Sequence, residues 1–198
     1  IIFGLEAKLH RTAPGYAPAT ANDLLDWLRE RLIVPASEWD ALLAAIARDH
    51  GMDRAHVEDS VRKKIRRLTM PGASVESLCA LEILPLLAVL SDATAAPAES
   101  GDALPEETET RAADLFSQWL SFYGPVRPSF TGEILGLSAE RLDLLLADLS
   151  EERRVAIGHL TAGSTAAEIC DQDNLERLLR MLRRSRRAQD GGGECDED

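Results

Sequence analysis

The 198-residue chain has nine aromatic residues and three cysteines. No apolar run approaches the ~20 residues that cross a bilayer. No signal-peptide pattern opens it, so a non-membrane, cytoplasmic protein is expected. Cys79, Cys170 and Cys195 are far apart and odd in number, with no C-x-x-C pair. A zinc knuckle or dithiol redox motif is therefore unsupported, and reduced thiols are expected. His50 and His56 do not have the i, i+4 spacing of helical zinc ligands, and they read as ordinary helix residues. No Gly-Lys pair occurs, so the phosphate loop G-x-x-x-x-G-K-[ST] is missing. Nor is there an acid cluster suited to magnesium. The sequence thus assigns no catalytic residue, cofactor or metal to this chain. It begins at Ile1 rather than Met and reads as a fragment of a larger protein.

What is present is mainly Leu and Ala. Unbranched side chains lose little rotamer freedom in a helix, so a mostly helical protein follows. The net charge of −12 is confined. Residues 92–109 hold six acids and residues 190–198 hold five, with no Lys or Arg in either stretch. These two segments account for all but one of the net negative charges. The first is rich in Ala, Pro, Ser and Gly and reads as an acidic flexible linker; the second reads as a disordered acidic tail. An N-terminal part, 1–91, and a C-terminal part, 110–189, remain.

The N-terminal part reads as a bundle of helices. Leu24, Leu25, Leu28 and Leu32 share a face, and Val34-Pro35 ends that helix. Ser37 suits an N-cap for a helix carrying Trp39, Leu42, Leu43 and Ile46, closed at His50-Gly51. Asp53 opens a third helix with Val57, Val61, Ile65 and Leu68 inward, stopped by Met70-Pro71-Gly72. A fourth apolar run, Val75 to Leu90, is broken by Pro85. "IIFG" at the start reads as the end of a strand from a missing neighbour.

In the C-terminal part, Arg111 to Tyr123 predicts a helix with Leu115, Phe116, Trp119, Leu120, Phe122 and Tyr123 on one broad face. Gly124-Pro125 ends it. Pro128 to Leu135 predicts a short helix opened by Pro at its first turn. Ser138 caps a third, carrying Leu142, Leu145, Leu146 and Leu149. Val155, Ile157 and His159 then alternate with Ala156 and Gly158, and Ala167 to Cys170 is the return strand. A helix from about Gln172 to Arg187 follows. Three helices and a hairpin are the order of a winged helix. Five of the nine aromatics fall between Phe116 and Phe130. They read as core, with Tyr123 alone a candidate for partial exposure.

The segments LFSQWLSFYGPV, ILGLSAERLDLLLADL, RRVAIGHLT and EICDQDNLERLLRMLRR, in this order, resemble the C-terminal region of large helicase-related (Lhr-type) ATP-dependent helicases of the DEAD/DEAH-box class. The resemblance covers 110–189. It implies a parent that hydrolyses ATP with magnesium in motor domains outside this chain, moves on single-stranded DNA and serves DNA repair. This chain would then be a non-catalytic accessory region, contacting single-stranded or junction DNA without sequence preference, scaffolding the motor domains, or both. Two alternatives stand beside it. One is a protein-interaction or self-association module. The other is a tandem winged-helix region like that of DNA glycosylases, for which Asp171 and Asp173 are the available carboxylates.

The basic residues supply the candidate contacts. Arg180, Arg183, Arg184 and Arg187 recur at i, i+3, i+4, i+7 opposite a buried face of Leu175, Leu178, Leu179 and Leu182. Residues 177–187 hold six arginines and no acid. Arg62, Lys63, Lys64, Arg66 and Arg67 surround the third N-terminal helix. Arg153 and Arg154 stand beside the expected wing with His159. Such groups neutralise phosphates and release counterions. The expected reading helix, Ser138 to Ser150, offers only Arg141 against Glu140, Asp143 and Asp148, which disfavours major-groove readout.

Overall fold

The computed structural model describes residues 1–90 and 106–190. Among them the chain is mostly helical, with a three-stranded and a two-stranded antiparallel sheet. It opens on α1 (Ile2–Leu9), a helix where a strand end was expected. Helical spacing puts Glu6 and His10 on one face. There the Glu6 carboxylate accepts the Gly124 N–H (3.2 Å) and His10 Nε2 meets the Phe122 carbonyl (2.9 Å).

A capping box of Thr20 and Asp23 starts α2 (Ala21–Arg31), which buries Leu24, Leu25, Trp27, Leu28 and Arg31. After it come β1 (Val34–Pro35), α3 (Ala36–His50) and α4 (Arg54–Val61). Ser37 does not cap α3, which begins one residue earlier; its first N–H donates instead to the Glu76 carbonyl, 2.9 Å away. Gly51, at φ 66°, closes α3 as expected.

The all-helical bundle expected over 1–91 fails beyond Val61. Ile65–Leu68 is β2 and Ser77–Ala80 is β3, with Ile65 opposite Ala80 and Leu68 opposite Ser77. Met70-Pro71-Gly72 lies in their connection and stops no helix. Strand β3 also pairs with β1, so it is bonded on both edges and buried along its length. A short 3-10 turn, Leu81–Ile83, leads to α5 (Leu84–Leu90). Pro85 sits in the first turn of α5, where a missing N–H costs no helical bond.

The second half runs α6 (Glu106–Leu120), α7 (Pro128–Leu135), α8 (Ala139–Glu151), β4 (Val155–Gly158), β5 (Glu168–Asp171) and α9 (Gln172–Asp190). Of the linker expected over 92–109, residues 92–105 lie outside the described residues, and Glu106 to Glu109 form the first turn of α6. Of the tail expected over 190–198, Asp190 ends α9 and the rest lies outside the described residues. Ser138 caps α8 by accepting the Arg141 N–H at 3.2 Å.

The two halves repeat one order: helix, short extended segment, helix, helix, hairpin. In the first half Val34 of β1 pairs with Leu78; in the second, Val126 bridges Ile169 in the same way. Cys79 and Cys170 each follow the bridged residue. Gly51 and Gly136 end the equivalent helices, both left-handed.

The halves share one buried cluster. The connection between β2 and β3 docks on the end of α7, where the Ser74 and Val75 N–H groups both donate to the Glu133 carbonyl at 3.0 Å. Gly72 and Gly136 meet there so closely that a Cβ on Gly136 would lie 1.9 Å from the Pro71 carbonyl oxygen. Deeper in, the fully buried Arg31 lies over the rings of Trp27, Phe122 and Tyr123 and pairs with Glu38. Its Nε and Nη1 groups are buried without a hydrogen-bond acceptor among the described residues, and the attraction of the three rings for the cation offsets part of that cost.

Candidate nucleic-acid interface

The aromatic cluster is closed to ligands. Phe116 and Trp119 are fully buried, and Trp119 stacks on Phe130 at 5.9 Å. Tyr123, expected to be partly exposed, is buried as well. Arg31 and His10 cover it from the first half, and its hydroxyl takes a 2.7 Å hydrogen bond from Arg31 and donates one of 3.1 Å to Glu38. Burial raises its phenol well above the ordinary range.

Helix α9 is anchored at its start. Asp171 accepts the Asn174 N–H (2.9 Å), the bond of an N-cap. The buried Asn174 amide donates to the Ser121 and Tyr123 carbonyls, tying α9 to the end of α6. Leu178 is buried. Beyond Leu182, every residue to Ala188 is exposed, so the last described turns of the helix are solvated on all sides. The leucine face expected to be buried is therefore only partly so: Leu179 is 42 % and Leu182 36 % exposed. Sequence periodicity located this face; it could not say how much chain lay against it.

Of the arginines on α9, Arg180 reaches Glu176 at 4.0 Å. Among the described side chains, Arg183, Arg184, Arg186 and Arg187 have no ion-pair partner. The row expected on one helix face is thus exposed and its distal part is unpaired.

The second basic group differs in form from the expected helix face. Arg62 ends α4, Lys63 and Lys64 make the turn, and Arg66 and Arg67 lie on β2, an edge strand. Arg67 is engaged by Glu58 (3.1 Å) and Glu76 (3.4 Å), and Arg62 approaches Asp59 at 3.9 Å. Lys63, Lys64 and Arg66 are exposed and unpaired among the described side chains.

Beside the second hairpin, Arg153 is exposed in a left-handed conformation, φ 58°. Arg154 is held by Asp114 (2.6 Å) and Glu152 (3.1 Å). His159 is exposed, its ring 3.2 Å from the Ser164 carbonyl. Arg141 is buried and paired with Glu109, so α8 offers no free cation. Asp171 is half-buried, and burial raises its carboxyl pKa; Asp173 is exposed. Among the described residues the structure thus distributes exposed positive charge over the first hairpin, Arg153 beside the second hairpin and the last helix rather than gathering it in one cleft.

Sequence reasoning passed over Phe3, 87 % exposed beside the open side of α9, because the first residues were read as a strand. Among the described residues no helix is long and apolar enough to cross a membrane. No protein-family model matches this chain, and no curated protein matches it either.

Proposed function

We propose that this chain is a non-catalytic nucleic-acid-contacting module made of two winged-helix units in tandem. The observation that carries this reading is the exposed, unpaired arginine row of α9. Burying a leucine at its root leaves Arg183, Arg184, Arg186 and Arg187 in water, without an ion-pair partner among the described side chains. A polyanion that approaches it gains counterion release without first breaking ion pairs. Lys63, Lys64 and Arg66 add a second contact on the outer edge of the first hairpin. The shared order of elements supports the winged-helix reading of both halves. The lack of a free cation on α8 favours backbone contact over base readout. The motif order over 110–189 supports an accessory role in an Lhr-type helicase.

The test is salt-dependent binding of a labelled single strand, a duplex and a fork. Measurable affinity at low salt is expected, with a log–log salt slope of about −3 if four arginines meet phosphates on a single strand. The quadruple variant R180E/R183E/R184E/R187E should lose at least tenfold. No affinity at low salt, or an unchanged quadruple variant, would sink the reading.

A further inference from the structure

Between α1, α9 and the second hairpin lies an open groove of about 390 Å³ whose lining includes Phe3, Leu160, Leu175, Leu178, Leu179 and Leu182. The four leucines of α9 recur at i, i+3, i+4, i+7, a ridge about 10 Å long at the rise of an α-helix. Such a ridge packs against another helix in most folded proteins. Here Leu179 and Leu182 are exposed, and Phe3 across the groove is almost wholly so. One turn beyond Leu179 stands Arg183, and one turn beyond Leu182 stands Arg186. Both are exposed and unpaired among the described side chains. The groove is thus aliphatic along its floor and cationic at one end.

We propose that this groove docks an amphipathic helix of a protein partner, with leucine-like side chains on one face and Asp or Glu flanking them. Charge complementarity selects this occupant. A second copy whose α9 ran parallel to this one about a two-fold axis would bring Arg183 and Arg186 against their own counterparts, like charge on like. A nucleic acid would leave its base edges unpaired, because of the lining residues only Thr161 carries a polar side chain. An acidic amphipathic helix meets both features, in the helix-in-groove mode. The docking surface is the leucine face of α9. Arg180, Arg184 and Arg187 lie on the opposite side of the helix; Arg183 and Arg186 belong to both surfaces, so the exposed leucines are what distinguish this site from the phosphate-contacting row.

The probes are two labelled peptides of about 16 residues, long enough to hold some helix in water. Both carry Leu at i, i+3, i+4, i+7, one with Glu at the flanking positions and one with Lys; a scrambled Glu peptide is the control. The chain should bind the ordered Glu peptide at least tenfold more tightly than the other two. Leu179→Ser with Leu182→Ser, substitutions at exposed positions, should remove that preference while leaving the thermal transition in place. R183E/R186E, which touches no packed side chain, should exchange the preference from the Glu to the Lys peptide. Equal binding by the leucine variant overturns the proposal, since surface charge alone would then explain the affinity. So does a dimer in sedimentation that the leucine variant abolishes, which assigns the groove to a second copy. Loss of single-strand affinity in the leucine variant, with its arginines intact, assigns it to nucleic acid instead.

Discussion

The guanidinium of Arg31 lies 4.8 Å from the centre of the Tyr123 ring and donates a 2.7 Å hydrogen bond to a hydroxyl 92 positions away in sequence. This contact joins α2 of the first repeat to the end of α6 in the second. Arg31→Ala should cost about 3 kcal/mol or more, because it leaves Glu38 without its cation and opens space among three aromatic rings. Tyr123→Phe, which removes only the hydroxyl, should cost about 1 kcal/mol. Urea denaturation of both variants measures the difference; equal, small losses would show that the contact does not hold the halves together.

His10 supplies a pH dependence. Burial first, then the charge of Arg31, lowers its pKa to about 4, from an unfolded value near 6.5. The unfolded chain therefore takes up this proton first as pH falls. The contribution is fully present above about pH 6.5 and is lost as pH drops toward 4, amounting to about 3 kcal/mol. Glu6 and Asp171, raised by burial, act in the opposite sense at acid pH. The wild type should therefore be compared with His10→Gln. The stability difference between them should narrow or reverse between pH 6.5 and 4; a constant difference contradicts the assignment.

Gly51 and Gly136 make a matched pair. Both have positive φ at equivalent helix ends, but a Cβ on Gly51 meets nothing within 4 Å, whereas one on Gly136 strikes Pro71 backbone. Gly51→Ala should cost about 1 kcal/mol, the conformational penalty alone. Gly136→Ala should cost about 3 kcal/mol, because the hairpin connection must move off α7. Thermal melts of the two variants decide whether that docking is as tight as the backbone contact implies.

The thiols of Cys79 and Cys170 are pushed up to about 11 and about 12, burial being the first cause in each. In a Cys195→Ser variant, alkylation at pH 8 should therefore be slow and should follow global unfolding. Both sites should gain reactivity together with rising urea. Rapid labelling of either in the native protein would show that its half opens locally.

The first-hairpin patch has its own test. K63E/K64E/R66E should lower single-strand affinity and make the salt slope shallower by about 0.7 for each phosphate the patch no longer neutralises. An unchanged slope confines nucleic-acid contact to α9.

Much of the second half was legible because its signals are local. Pro128 at a helix start, Gly136 at a helix end, Ser138 as a cap and the alternation from Val155 each act within a turn or two of chain. The first half was misread at Ile65 to Leu68 because Val57, Val61, Ile65 and Leu68 also fit a helical period. What makes that segment a strand is β3, which is buried on both faces and so shows no alternation of its own. Nor did the repeat announce itself, since β1 is only two residues long and its partner in the second half is an isolated bridge. At the candidate interface, sequence located the charges but not their partners: Arg67, Arg141 and Arg154 turned out to be engaged, and Lys63, Lys64, Arg66 and the end of α9 free among the described side chains.

By itself, then, the sequence determined the helical bias, the caps and turns of the second half, and the separation of leucine and arginine on α9. These depend on neighbours a few residues apart. Tertiary structure alone decided that Ile65 to Ala80 of the first half forms a hairpin, that Tyr123 is sealed by Arg31, and that the leucine ridge of α9 stays partly open. Each of these depends on which distant surface arrives to cover a group, and that is a property of the packed chain.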